Sequence, residues 1–211
     1  MIIKDRMTKN LITITKNENI NKAMDIMAAH GLHRLPVVEG KKLVGLLTKS
    51  MISQKGASKA TSLSIFELNY LLSKITVSTI MEKKVITIYE DQLFEDAADL
   101  MLRYDIGCLP VLNKKNELVG ILTQNDLFKA FTELLGYNEP GTRISLKTKD
   151  QIGVLEDITN IFVKHNCNIT NLGVYDVDND YKNLIIRTNA EDTTELQKDL
   201  KESGYEVLDV R

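Results

Sequence analysis

Several features that announce a function are scarce or missing in this sequence. Two cysteines, Cys108 and Cys167, among 211 residues cannot build the disulfide framework of a secreted domain, and they read as buried thiols in a reducing cytosol. The three histidines, His30, His33 and His165, are scattered. They form no metal-ligand spacing, and neither cysteine has a histidine neighbour in sequence. No nucleophile–base pair and no phosphate-binding loop is visible either, so no catalytic or metal residue is predicted. No stretch approaches the roughly 18 apolar residues needed to cross a bilayer. The segment Met1 to Arg6 has neither the apolar core nor the cleavage site of a signal peptide, so a cytoplasmic protein without a membrane partner is expected. The formal net charge of −2 offers no basic excess for nucleic acid. What is present, 43% hydrophobic and 27% charged residues, suits a globular chain with room for one or two domains.

The strongest positive feature is an internal repeat, which decides a fold before any local pattern does. Met7, Ile12-Thr13-Ile14, Ala23, Asp25, Met27 and Leu35-Pro36-Val37 return as Met81, Ile86-Thr87-Ile88, Ala97, Asp99, Met101 and Leu109-Pro110-Val111. Leu43-Val44-Gly45-Leu46-Leu47-Thr48 returns as Leu118-Val119-Gly120-Ile121-Leu122-Thr123, with one residue inserted in the second hairpin.

Each copy reads as strand, helix, strand, strand, helix. In the first, 11–15 alternates as a strand, and 19–30 has helical spacing with Ile20, Ala23, Met24 and Met27 on one face. Apolar runs over 34–38 and 43–47 flank Glu39-Gly40-Lys41-Lys42, a hairpin signal, and Thr48 opens a further helix. The second copy repeats the order over 85–89, 92–104, 108–112, 118–122 and 123–135. Between them, Ser64-Ile65-Phe66-Glu67 fits a capping box opening a helix to about Ser73.

This order, with Leu-Pro-Val before the hairpin and Leu-Val-Gly-Ile/Leu-Leu-Thr after it, resembles a tandem pair of CBS domains over about residues 1–135. The resemblance implies two copies packed by their sheets, two clefts that often hold adenine nucleotides, and further pairing into a homodimer. It places a Thr-x-x-Asp stretch at the start of the last helix, where the carboxylate accepts from the ribose hydroxyls and the hydroxyl lies near phosphate. Thr123-Gln124-Asn125-Asp126 matches it; Thr48-Lys49-Ser50-Met51 does not. The same four residues also read as an ordinary capping box.

In one nucleotide-sensing branch of the family, a His-Arg pair just before Leu-Pro-Val reaches the phosphate beside the other copy's Asp. His33-Arg34 fits, with Lys49 as a second cation one position off the family's lysine; the equivalents in the second copy are Gly107-Cys108. The pair also suits a polar strand edge. One cleft thus joins Thr123 and Asp126 to His33 and Arg34, with adenine among Leu11, Ile12, Leu32, Pro36 and Ile121. The other joins Thr48 and Met51 to Gly107 and Cys108. One competent site for AMP, ADP, ATP or a related nucleotide per chain is expected, as a regulatory ligand and not a required cofactor.

After Leu135-Gly136-Tyr137-Asn138-Glu139-Pro140-Gly141, a linker by composition, the pattern changes. Strand 143–148, helix 152–165, strands 169–177 and 181–188 around Asp178-Asn179-Asp180, helix 193–203 and strand 205–210 follow in the ferredoxin-like order. Val154, Leu155, Ile158, Ile161 and Phe162 share one helix face. Asp150-Gln151-Ile152-Gly153-Val154-Leu155 and Asn168-Ile169 resemble the ACT domain, which binds amino acids or related effectors and commonly pairs edge to edge. Asp150, Gly153, Val154, Leu155 and Asn168 are the effector-site candidates, although Gly153 and Asn168 also suit a turn and a strand start.

The expected architecture is α+β: CBS copy 1 over 1–60, a connecting helix over 61–75, CBS copy 2 over 76–136, a linker over 137–141 and an ACT domain over 142–211. This layout resembles bacterial acetoin-utilisation proteins of the AcuB type. It implies a regulatory protein acting on an unidentified partner, with a ligand-free interaction scaffold or an enzyme of acetoin metabolism as alternatives.

Overall fold

The structure, a computed structural model, describes residues 1–57, 70, 72–177 and 180–211. The proposed capping box at 64–67 and residues 178–179 lie outside the described residues. Two compact units divide the chain, Met1–Leu127 and Phe128–Arg211.

The first unit contains both copies of the repeat. In copy one, helix α1 (Ile20–His30) is opened by Asn19, whose side chain accepts from the Lys22 N–H at 2.9 Å. A cap of this kind contributes about 1 kcal/mol. Strands β1 (Arg34–Glu39) and β2 (Lys42–Thr48) pair antiparallel with Leu35 opposite Leu47, and helix α2 (Lys49–Ala57) follows. Thr48 Oγ1 accepts from the Met51 N–H at 3.2 Å and caps that helix. A short helix α3 (Val77–Ile80) leads into copy two. There β3 (Ile88–Tyr89) runs parallel to β4 (Cys108–Leu112), helix α4 (Phe94–Arg103) crosses between them in sequence, and β4 pairs antiparallel with β5 (Leu118–Thr123). Helix α5 (Gln124–Leu134) ends the copy. Both hairpins carry a register shift at the matching place, Val37/Val38 and Val111/Leu112.

Two expected strands shrink. In 11–15 only Ile14 bridges a neighbour, its N–H donating to the Pro36 carbonyl and its carbonyl accepting from Val38. The run 85–89 is paired only at Ile88–Tyr89. The apolar residues just before each paired position line clefts and leave the ladder. Ile14, Ile20, Ala23, Met27, Leu35, Val37 and Leu47 are buried in one cluster. Met24, expected on that face, is 41% exposed.

The copies exchange segments. Residues Ile2, Ile3, Lys4 and Thr8 bond to the second copy, Thr8 pairing with Ile121, while Glu82 pairs with Leu46 of the first. The Met7 side chain lies against Gly120 and that of Met81 against Gly45; a Cβ on either glycine would collide with the methionine sulfur. The duplicated glycines are sites of close approach, each filled from the other copy.

In the second unit, β6 (Thr142–Lys149), α6 (Val154–Lys164), β7 (Ile169–Asp176), β8 (Tyr181–Thr188), α7 (Thr194–Glu202) and β9 (Glu206–Val210) follow in sequence. The sheet order β7-β8-β6-β9 is the ferredoxin-like arrangement. Ile144, Leu146, Ile158, Phe162, Leu184, Ile186, Leu196 and Leu200 form its core, and each such side chain contributes about 1.5–3 kcal/mol on burial. Helix α6 starts at Val154, two residues after the expected start, because Gly153 before it has φ 95° and breaks the helical path. Leu155 is 46% exposed, off the expected core face. The packing boundary also falls earlier than the expected linker at 137–141. The end of α5 belongs to this unit because Asn171 Nδ2 donates to the Leu134 carbonyl and Arg187 Nε to the Leu135 carbonyl, both at 3.0 Å.

Candidate functional site

Two cavities lie between the copies. The first, about 390 Å³, is lined by Leu11, Ile12, Leu32, His33, Arg34, Pro36, Ile121 and Thr123, together with Thr8, Asn10, Gly107, Gln124 and Asn125. That volume falls in the range of small-molecule sites. Eight of the ten residues expected at a nucleotide site are therefore brought together from sequence positions more than a hundred apart. Leu11, Ile12, Leu32 and Ile121 form half-buried apolar walls, and Pro36 is buried behind them.

Asp126, also expected here, is not among the residues that line the cavity. Its Oδ2 accepts from both the backbone N–H and the hydroxyl of Thr123 at 2.7 Å, and the Asp126 N–H faces Thr123 Oγ1 at 3.4 Å. These bonds form a capping box at the start of α5. Lys49, also expected here, lines the other cavity instead, because it is the first residue of α2 and that helix start borders the second cleft.

The second cavity, about 890 Å³, is bounded by Thr48, Met51, Gly107 and Cys108 as expected. It is also lined by His33, Arg34, Lys49, Lys84, Glu82 and Asp105, with Leu46, Val85, Ile86 and Ile106 as apolar walls. His33 and Arg34 thus belong to both clefts. The Arg34 guanidinium lies across Gly107, where any Cβ would collide with it. Sequence comparison of the copies aligned Gly107 with His33 but gave no sign that Arg34 needs the bare glycine. Burial pushes the Cys108 thiol up, and the nearby Arg34 charge opposes the rise. A buried thiol with a raised pKa is a poor nucleophile.

In the second unit a cavity of about 470 Å³ gathers Asp150, Gly153, Val154 and Leu155 with Lys149, Gln151, Val174 and Lys182. Lys182 Nζ lies 2.7 Å from Asp176 and 3.3 Å from Asp150. Hydrogen bonds first to Asp176 and then to Asp150 raise its pKa. Asn168 is not in this group. It precedes β7, and its N–H donates to Asn189 Oδ1 at 3.1 Å; Val174, which does line the cavity, is near the strand's other end, about 20 Å away at strand rise. Among the described residues, no cluster of three or more His, Cys, Asp or Glu side chains could hold a metal, and no helix is long and apolar enough to cross a membrane.

The CBS domain model matches residues 3–56 and 77–133, and the TTHA0829-like ACT domain model matches residues 140–211. A homoserine O-acetyltransferase of Methanococcus vannielii is 33% identical over 132 residues, which are 62% of this chain and 25% of the enzyme. A CBS domain-containing protein of Dictyostelium discoideum is 33% identical over 140 residues, 64% of this chain and 94% of that protein. The chain thus spans only a quarter of the enzyme it matches, and the shared part is the CBS region. Among solved structures, the CBS domain pair of protein MJ0100 in complex with 5′-methylthioadenosine and S-adenosyl-L-methionine has a TM-score of 0.53 at 31% identity, covering 62% of this chain and 99% of that one. A Vibrio cholerae structure assigned to acetoin utilization (AcuB) has a TM-score of 0.55 at 25% identity, covering 66% and 96%.

Proposed function

The chain belongs to the CBS-domain family and ends in a TTHA0829-like ACT domain, and from that premise we propose that it is a cytosolic regulatory protein binding one adenine nucleotide per chain in the Thr123 cleft. The observation that carries this reading is the convergence of Leu11, Ile12, Leu32, Arg34, Ile121 and Thr123 on a single cavity. Apolar walls suit a purine face. Arg34 offers two parallel N–H donors to phosphate and keeps its charge at any physiological pH. The Asp126 carboxylate holds Thr123 through Oδ2, and its second oxygen is suited to the ribose hydroxyls. The adenosyl ligands of the MJ0100 pair favour this ligand class.

Calorimetric titration of AMP, ADP, ATP and S-adenosylmethionine tests the reading. The expected outcome is one site per chain, lost in Arg34→Ala and Asp126→Ala. A ligand present at 100 times its dissociation constant would stabilise the protein by about 2.7 kcal/mol. Two equivalent sites, or binding untouched by both substitutions, would refute it.

The ACT domain in this proposal dimerises the chain or senses a small effector such as an amino acid at Asp150, Gly153, Val154 and Leu155. Leu155, Leu172 and Val174 are 46%, 42% and 48% exposed, an apolar stripe by the edge strand β7 that suits edge-to-edge pairing. Light scattering after chromatography should give a dimer that Val174→Asp converts to monomer. The competing reading, a ligand-free scaffold, is favoured by one observation: Asp126 already has partners in its own helix cap.

A further inference from the structure

Helix α5 (Gln124–Leu134) is where the chain passes from one compact unit to the other, the division falling between Leu127 and Phe128. Its first turn carries Gln124 and Asn125, which line the Thr123 cleft. Few of its side chains are covered. Among its 11 described residues only Ala130 is buried, whereas Phe128, Phe131 and Leu134 are 66%, 60% and 58% exposed. A helix shorter than about 12–15 residues is marginal in water, so the fastening of its ends decides whether α5 stays wound.

The last four carbonyls of a helix have no partner within it. At the end of α5 the chain itself meets two of them. The Tyr137 N–H donates to the Thr132 carbonyl at 2.9 Å and the Gly136 N–H to the Glu133 carbonyl at 3.0 Å. The sheet of the second unit meets the next two. Asn171 of β7 donates through Nδ2 to the Leu134 carbonyl and Arg187 of β8 through Nε to the Leu135 carbonyl, both at 3.0 Å. The two side chains stand side by side because Asn171 and Arg187 are register partners, and the Arg187 charge suits the negative end of the helix dipole. A Cβ on Gly136 would collide with Asn171 Oδ1, and one on Gly173 would crowd Leu135.

We infer that Asn171 and Arg187 are positioning residues for the nucleotide cleft: they fasten the C-terminal end of α5, and the helix carries that fastening to its first turn. Helix winding is cooperative. Freeing the last two carbonyls therefore frays α5 from that end and lowers the fraction of molecules with Gln124 and Asn125 in place. A nucleotide that binds the wound helix shifts the same equilibrium. By reciprocity, bound nucleotide protects the end that the sheet holds. The inference rests on the nucleotide reading for its ligand, but the fastening itself does not.

Calorimetric titration of the full chain with AMP, ADP, ATP and S-adenosylmethionine, then hydrogen exchange with the tightest binder, tests this. Arg187→Ala should weaken binding by about fivefold or more, the lower end of coupling between sites, and Asn171→Ala should act in the same direction. The amides of residues 128–130, which close the first turn of α5, should exchange faster in both variants. Bound nucleotide should slow exchange at residues 132–135 of the wild type. Gly141→Ala strains the second unit at Thr188 and Asn189, not at α5, so its affinity should stay within about twofold of wild type. Melting by circular dichroism verifies that each variant folds, and Asn171→Ala carries the test where Arg187→Ala does not. Unchanged affinity in the variants of Arg187 and Asn171, or an equal loss in Gly141→Ala, overturns the positioning role. Should none of the four ligands bind, the nucleotide reading falls and exchange alone decides: faster exchange at 128–130 in Arg187→Ala supports the fastening, and unchanged exchange overturns it.

Discussion

One oxygen of the Asp126 carboxylate, Oδ2, accepts from both the N–H and the hydroxyl of Thr123, each at 2.7 Å. A carboxylate has two oxygens and about four acceptor positions, so a helix cap and a ribose contact can use different atoms of one side chain. This relationship separates the two roles by mutation. Asp126→Ala removes both and should cost about 1 kcal/mol in urea unfolding. Asp126→Asn keeps an acceptor for the cap, so it should unfold near wild type and yet bind nucleotide about tenfold or more weakly. Wild-type affinity in the Asn variant would remove the carboxylate from the site.

Met51 stands where the second copy has Asp126, and Thr48 Oγ1 already faces the Met51 N–H at 3.2 Å. The cap geometry awaits only a carboxylate. Met51→Asp should strengthen the cap and install a ribose acceptor beside Arg34 and Lys49, raising the calorimetric AMP stoichiometry from one toward two. Unchanged stoichiometry would mean that the missing carboxylate is not what distinguishes the clefts.

Gly107 permits Arg34 to lie across the start of β4. Its backbone is not in the left-handed region, so Gly107→Ala should leave the fold intact while displacing the guanidinium. Nucleotide affinity should fall about tenfold, as for a lost charge-assisted bond, with the urea midpoint little changed.

Asp199 accepts from Lys164 Nζ at 2.5 Å and lies 2.9 Å from His165 Nε2. The bond from Lys164, and then that from His165, hold its carboxyl below the ordinary range, and the same bond to Asp199 raises Lys164. A lowered carboxyl stabilises above its unfolded pKa and loses that contribution as pH falls through the folded value; a raised amine stabilises below its unfolded pKa and loses it as pH rises through the folded one. Urea midpoints of wild type and Asp199→Asn should therefore differ near neutral pH and converge at both the acid and alkaline ends. A constant difference across the whole range would contradict this account. The exposed Lys164 side chain keeps the effect small.

Gly141 has φ 104°, and a Cβ there would collide with the Thr188 carbonyl. Gly141→Ala should destabilise the second unit by more than about 1 kcal/mol, visible as an earlier thermal transition, with nucleotide binding retained.

The regular parts of the fold were legible because apolar period and turn chemistry act locally. β4 and β8 run over the residues expected, and the strand–helix–strand–strand–helix–strand order of the second unit matches its sheet. The misses have one cause. In 11–15 the side chains alternate as a strand does, yet Leu11 and Ile12 face a cavity and only Ile14 finds a ladder partner. Met24 and Leu155 keep helical spacing but remain 41% and 46% exposed, because spacing alone does not say which neighbours cover a helix face. In the site, residue types were readable as candidate ligands, but Lys49 and Asn168 were placed by sequence neighbours, whereas a cleft is assembled from distant segments.

By itself the sequence determined that the chain repeats one unit twice, that a different module follows, and that Asp126 and Arg34 have no counterparts in the other copy. Those are properties of residue order. Only the tertiary structure decided what the differences mean. Met7 fills the space at Gly120 and Met81 the space at Gly45, so each copy completes the other, and Arg34 spans Gly107 to border both clefts. Long side chains reach several ångströms across packed segments, and no one-dimensional spacing encodes which cavity they enter.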